Sequence, residues 1–209
     1  MSGWWIHEFW QQGRATELAA WIFWVIASIT LHELAHGWAA LAEGDDTPRV
    51  RGHLTANPVV HMGVPSLVIF ALVGIAWGLM PVNPSRFRHG RMGRVLVAGA
   101  GPAMNIALAF AALLAVRAVD PGSVAATFLY VGGYLNIVLA ILNLLPIPPL
   151  DGATILANLV PAAARLYARP QAMMLGFFLL VMIFVSGAGS VLFDAAGTIA
   201  SAIAGLGRA

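Results

Sequence analysis

The chain has 209 residues, 60% of them hydrophobic and 10% charged, with a mean hydropathy of +0.83; soluble domains carry about one quarter charged residues, so the expected solvent is a membrane. Net charge is +2, and all eleven basic residues are arginines dispersed over short loops, which excludes the basic stripe that nucleic-acid binding requires. Cysteine is absent, which excludes disulfides and thiolate metal sites and leaves His, Asp and Glu as the metal-binding side chains.

In chain order, residues 1–17 place Trp4, Trp5, Phe9 and Trp10 among polar side chains, the mixture expected of an interfacial segment at headgroup level. No basic region precedes an apolar core there and no small-residue cleavage pattern follows, so a removable leader is not expected. Residues 18–41 are an apolar run of helix length, enough to cross a ~30 Å hydrocarbon core, and they contain His32, Glu33 and His36. The polar, turn-rich stretch 43–58 follows, in which 50–56 reads as a strand or hairpin.

Residues 64–80 are apolar but short, with Pro65, Gly74, Gly78 and Pro81 placed to bend them. They form either a short span or a re-entrant hairpin. Arg86, Arg88, Arg91 and Arg94 come next, then a span over 95–119, a tight turn at Asp120-Pro121-Gly122 and a span over 124–145 that ends in PIPPLDG. After Arg165 and Arg169 a further span covers 171–185. The weaker C-terminal segment has Asp194, Thr198 and Ser201 at helical spacing, as for a helix lying along the interface or against the bundle. These elements describe an all-α polytopic membrane protein with one membrane-embedded unit over 1–209.

Basic residues in short loops are retained on the cytoplasmic side. If 64–80 re-enters, the loops with Arg49 and Arg51, with Arg86 to Arg94, and with Arg165 and Arg169 share one face and hold eight of the eleven arginines, with Arg14 and Arg117 opposite. A full crossing by 64–80 separates these loops, so the charge rule favours the hairpin.

His32 and His36 are one helical turn apart and project from one face, close enough to share a metal ion. Glu33 then lies beside that metal, placed to take a proton from the attacking water and pass it to a leaving amine, the HExxH logic of metalloproteases. Ionisable groups are costly within a spanning helix and mark function there. Catalytic zinc takes three protein ligands and keeps a position open, and the candidates for the third are Asp151, Asp194, Glu43, His53 and His61. Asp151 is favoured, because Pro146, Pro148 and Pro149 break the helix and leave backbone that survives at membrane depth only against protein or a water-filled cavity. Asp194 reads as an interfacial residue, Glu43 as a helix end, and the two histidines as solvated loop residues.

These residues resemble the site-2 protease family of intramembrane zinc metalloproteases. HELAHGWAALAEGD is similar to its first core helix, AGAGPAMN to its second and NLLPIPPLDG to its third, in order and spacing over residues 18 to about 155. RGHLTANPVVH and PVNPSRFR further resemble its compact prokaryotic members without a PDZ or CBS module. His53 stands where those members more often have arginine, and Met62-Gly63 replaces a more usual isoleucine-aspartate pair. The resemblance implies one Zn²⁺ per chain held by His32, His36 and Asp151, with Glu33 activating water. It implies a three-helix catalytic core over 18–155, C-terminal helices over 156–209 and an active site nearer the cytoplasmic face of the cell membrane. It also implies that Asn143 or Asn105 positions substrate or stabilises the developing oxyanion, a task suited to an amide donor, unless each is interhelical glue. An edge strand over 52–58, including Leu54, Thr55, Ala56 and Asn57, would hold an unwound substrate extended.

The expected partners are thus the lipid bilayer and transmembrane protein substrates, with the oligomeric state open. Two rival functions share the intramembrane His and carboxylate groups: a metal or proton transporter, which the lack of an evident internal repeat disfavours, and a noncatalytic zinc-containing membrane protein, which would have no need of Glu33.

Overall fold

Residues 5–206 are described by a computed structural model, and their regular structure is helical throughout. Three helices are long and apolar enough to cross a bilayer: α2 (Ala15–Ala42), α5 (Gly90–Val116) and α6 (Val124–Leu144). At 1.5 Å per residue the shortest of them spans roughly 31 Å. The protein is therefore a multi-pass membrane protein. Trp4, part of the expected interfacial segment, lies outside the described residues; α1 (Trp5–Gln11) begins immediately after it.

Lipid tails are as apolar as leucine, so helices in a membrane associate by close packing and by hydrogen bonds rather than by burial from water. The three long helices pack on one another in that way. A Cβ at Gly132 of α6 would fall 2.1 Å from the Trp24 ring of α2, and one at Gly133 would fall 2.3 Å from Leu113 of α5. Trp24 Nε1 donates to the Phe128 carbonyl at 2.9 Å, which satisfies the indole as it packs. The last helix, α10 (Ser190–Ala204), lays the buried face Ala196, Ala200 and Ala204 against α5 and α6, with Tyr130 and Ser201 hydroxyls 3.1 Å apart.

Between α2 and α5 the chain doubles back. Helix α4 (Pro58–Val73) is capped by Asn57 Oδ1, which accepts from Val59 N at 3.0 Å, bends at Gly63, and stops at Gly74, whose φ of 78° favours glycine. The following residues return in extended form: Ser66 Oγ donates to Trp77 O (2.7 Å) and accepts from Trp77 N (2.9 Å), and Leu79 N donates to His61 O (2.9 Å). Residues 58–80 are thus a hairpin of helix and extended return. Trp5 of α1 covers its tip, packing its ring at a tilt against Phe70 and donating from Nε1 to Ala71 O.

The expected strand or hairpin at 50–56 is not formed, and no strand occurs among the described residues. Its start belongs to the short helix α3 (Thr47–Val50), and the rest is an irregular loop. A strand needs a partner ladder; here the polar groups are satisfied locally, with His53 N on Pro48 O (2.8 Å), His53 Nδ1 donating to Arg51 O (2.9 Å) and His61 Nε2 donating to Thr55 O (2.6 Å).

Carboxylates just past α2 fasten the next loop. Glu43 accepts from His89 N (3.1 Å) and His89 Nδ1 (3.0 Å), and these bonds hold its carboxyl below the usual range. Burial works against the charge on Asp45, yet the N–H of Asn83 and the hydroxyl and N–H of Thr47 outweigh it and keep that carboxyl low as well. Arg86 pairs with Asp46 beside them.

The helix expected over 171–185 is formed, one residue shorter at its start. Helix α7 (Asp151–Leu159) leads into α8 (Pro161–Tyr167) and α9 (Ala172–Val185), the last two bent by 92°. By itself α9 rises only about 21 Å over its 14 residues. It sits on the proline-rich turn, where a Cβ at Gly176 would fall 1.9 Å from Pro148 O, while Tyr167 donates its hydroxyl to Pro146 O at 2.6 Å. Backbone freed by the prolines is covered by protein in this way.

Candidate metal centre

The middle of α2 is buried against α5, and that face holds His32, Glu33 and His36. The two rings face each other at 4.6 Å between centroids. Each ring uses Nδ1 to grip the neighbouring helix: His36 Nδ1 donates to the Val97 carbonyl of α5 at 2.7 Å, and His32 Nδ1 bonds Asn105 Oδ1 of the same helix at 2.6 Å. A carbonyl oxygen only accepts, so His36 carries its proton on Nδ1 and presents a lone pair at Nε2.

Both Nε2 atoms turn the same way and lie 3.0 Å apart. Asp151, the first residue of α7, completes the group, with Oδ2 at 3.2 Å from His32 Nε2 and 3.4 Å from His36 Nε2. Among the described residues this is the one group of three or more such side chains close enough to hold a metal ion. Two lone pairs and a carboxylate oxygen at these separations repel one another unless a cation lies among them. The spacing suits Zn²⁺, whose bonds of about 2.0–2.1 Å to nitrogen and oxygen give a tetrahedron with edges of roughly 3.3–3.4 Å. Room is left on the α5 side because residue 101 is glycine: a Cβ there would fall 2.4 Å from His32 Nε2 and 2.5 Å from His36 Nε2.

Glu33 is buried and lies within electrostatic reach of His36, His32, Asp151 and His53. Its carboxylate faces the returning limb of the hairpin, where a Cβ at Gly78 would fall 2.6 Å from Oε1. One turn further along α2, Gly37 faces Met80 and Leu54 in the same manner. The hairpin and the 51–57 loop thus cover the acidic side of the centre.

Other expected site residues fall elsewhere. Asn105 is fully enclosed, its oxygen occupied by His32 and its nitrogen donating to Asn136 Oδ1 at 2.9 Å, so it supports a histidine instead of facing an open cleft. Asn143 donates to Leu139 O of its own helix. Of the loop, Leu54 touches the α2 face, Thr55 is tied to His61, Asn57 caps α4 and Ala56 is exposed. Glu43 is engaged by His89 and His61 by Thr55, and neither they nor His53 and Asp194 join the cluster. A concavity of about 710 Å³ near Glu17, Arg117 and Tyr130 lies at the opposite end of the bundle and has none of these residues in its lining.

Three supports escaped the sequence reading. Val97 acts through a backbone carbonyl, which no side-chain pattern announces. Asn136 and Ser28, both fully buried on α6 and α2, were open to detection, because polar groups in spanning helices mark structured contacts.

A profile described as Peptidase family M50 matches residues 118–185. The putative zinc metalloprotease YwhC of Bacillus subtilis (strain 168) is 38% identical over 176 residues, covering 79% of this chain and 80% of that protein. The putative zinc metalloprotease Rip2 of Mycobacterium tuberculosis (strain ATCC 25618 / H37Rv) is 34% identical over 178 residues, covering 79% of this chain and 66% of Rip2. The putative zinc metalloprotease MJ0611 of Methanocaldococcus jannaschii is 42% identical over 89 residues, 43% of this chain and 46% of that one. No solved structure matches the chain. Extensive similarity to YwhC, with a zinc-compatible His-His-Asp group among spanning helices, establishes the chain as a zinc metalloprotease of the site-2 protease family, peptidase family M50.

Proposed function

We propose that this protein is an intramembrane endopeptidase that hydrolyses peptide bonds within or near transmembrane segments of other membrane proteins, as a single membrane-embedded unit over 1–209. In this reading His32, His36 and Asp151 hold one Zn²⁺ and Glu33 is the general base. The observation that supports it most is the convergence of two imidazole lone pairs and a carboxylate oxygen within 3.0–3.4 Å on a buried helix face next to Glu33.

When bound, zinc supplies Lewis-acid chemistry, making water more acidic and polarising a carbonyl. The residues of the chain do the rest. Val97 and Asn105 orient the imidazoles, and Asp151 offsets the ion's charge. Glu33, one residue from His32 on the same helix, accepts the proton of the attacking water and delivers it to the departing amine. Burial of Glu33 under Gly78 limits water near the carboxylate, which strengthens each electrostatic contact there.

Glu43 marks the end of α2, and His36 and His32 lie roughly 10 and 16 Å inside it at 1.5 Å per residue. Arginine-rich loops gather at that end, which supports an active site nearer the cytoplasmic face of the cell membrane. The lipid bilayer and membrane-protein substrates are the corresponding partners. A substrate helix hides its peptide bonds and has to unwind to reach a site at this depth.

Glu33→Gln, with purified protein in nanodiscs, is expected to lower cleavage of a transmembrane peptide by at least about 100-fold, the lower end of general acid–base catalysis, while zinc per chain stays at one. Full activity in that variant, or metal flux through liposomes without any proteolysis, overturns the proposal.

A further inference from the structure

We infer that Asn136 is a positioning residue for the metal centre: a directional hydrogen-bond chain beginning at the Gly132 carbonyl fixes, through two amides, which nitrogen of His32 faces the metal. The inference rests on the reading of His32 as a zinc ligand.

An amide side chain has a donating end and an accepting end of nearly equal shape, so its orientation is set by its neighbours. The Gly132 carbonyl supplies the fixed point, because a backbone oxygen can only accept. Asn136, one turn later on α6, places Nδ2 at 2.9 Å from it and at 2.8 Å from Ser28 Oγ of α2, which uses both of its N–H groups. Its oxygen is then left facing Asn105 Nδ2 at 2.9 Å. That contact directs Asn105 Oδ1 to His32 Nδ1 at 2.6 Å, so the ring proton sits on Nδ1 and Nε2 offers its lone pair toward Asp151 and His36. Reversing either amide would set oxygen against oxygen or N–H against N–H.

Burial makes that reversal costly. Ser28, Asn105 and Asn136 have no exposed surface, and a polar group left unpaired in such a place is expensive. His36 offers an internal comparison, since Val97 fixes its tautomer directly. Simple glue between α2, α5 and α6 would lower stability when removed and leave the ring tautomer alone. A positioning role couples Asn136 to His32 specifically.

The test uses the full chain in nanodiscs with ¹⁵N-labelled histidine and Zn²⁺ as the probe. In metal-free wild type, with the rings neutral, imidazole NMR is expected to find both His32 and His36 protonated on Nδ1. Asn136→Leu is expected to mix the His32 tautomers, leave His36 unchanged and weaken zinc about 10- to 100-fold in chelator competition, the range of second-layer supports at metal sites. A wild-type His32 protonated on Nε2 overturns the inference even if no variant folds. So does a folded Asn136→Leu protein with unchanged zinc affinity and an unchanged His32 tautomer. Failure of the underlying metal reading is visible separately, as full zinc content in His32→Ala.

Discussion

The polar face of α2 is enclosed by two walls of different construction. On the α5 and α6 side each ring nitrogen that grips a wall has a fixed partner: Val97 O for His36, and the Asn105–Asn136 pair for His32. On the side of the 58–80 hairpin, Glu33 meets the backbone of Gly78, and Gly37 meets the flexible ends of Met80 and Leu54. Two buried polar atoms, Thr30 Oγ1 on the same face as Glu33 and His61 Nδ1 on the hairpin, have no hydrogen-bond partner. The first wall is satisfied and geometrically closed, as a metal site requires; the second retains unused hydrogen-bonding capacity.

Substitutions on either wall break the comparison in opposite ways. The largest effect is expected from Gly101→Ala on the closed wall, where the new Cβ falls within 2.5 Å of both Nε2 atoms. Zinc per chain should drop towards zero in elemental analysis, and cleavage with it; a fully loaded variant would show that the wall is not closed. On the other wall, Gly78→Ala places a Cβ 2.6 Å from Glu33 Oε1. Cleavage should fall by about 10- to 100-fold, of the order of displacing a reacting group by an ångström, with zinc retained. Equal loss of metal in this variant would merge the two walls into one.

The smallest effect belongs to the loop that joins the walls. Glu43 and Asp45 have folded-state carboxyls held below their ordinary values of 4.5 and 3.8. Groups depressed in this way stabilise the fold above their unfolded pKa, and that stabilisation disappears as pH falls through the folded one. Thermal stability should therefore decline as pH drops below about 4, and Asp45→Asn should flatten the decline while lowering stability at neutral pH. An acid limb as steep in the variant as in wild type would remove Asp45 from the account.

How much of this was readable from the sequence follows from how local each signal is. His32, Glu33 and His36 announce themselves by spacing within an apolar helix, and Asp151 by the prolines before it. The hairpin was foreshadowed by a run too short to cross comfortably and interrupted by Pro65, Gly74 and Gly78. The strand at 50–56 was misjudged because its backbone groups found partners in Pro48, Arg51 and His61, contacts that residue type alone does not specify. The apolar run at 171–185 was legible as a helix, but its 92° bend against α8 depends on how the two pack and not on residue type. Asn143 and Asn105 enter through the family resemblance, whereas Asn136, two turns before Asn143 on α6, is joined to His32 through Asn105 by contacts that spacing does not specify.

Zinc content of Asp151→Ala, measured beside wild type and His36→Ala, bears most directly on the claim that a carboxylate from α7 meets two imidazoles of α2 around one ion. The account predicts one zinc per wild-type chain and a marked loss in both variants. An undiminished metal content in Asp151→Ala would contradict it.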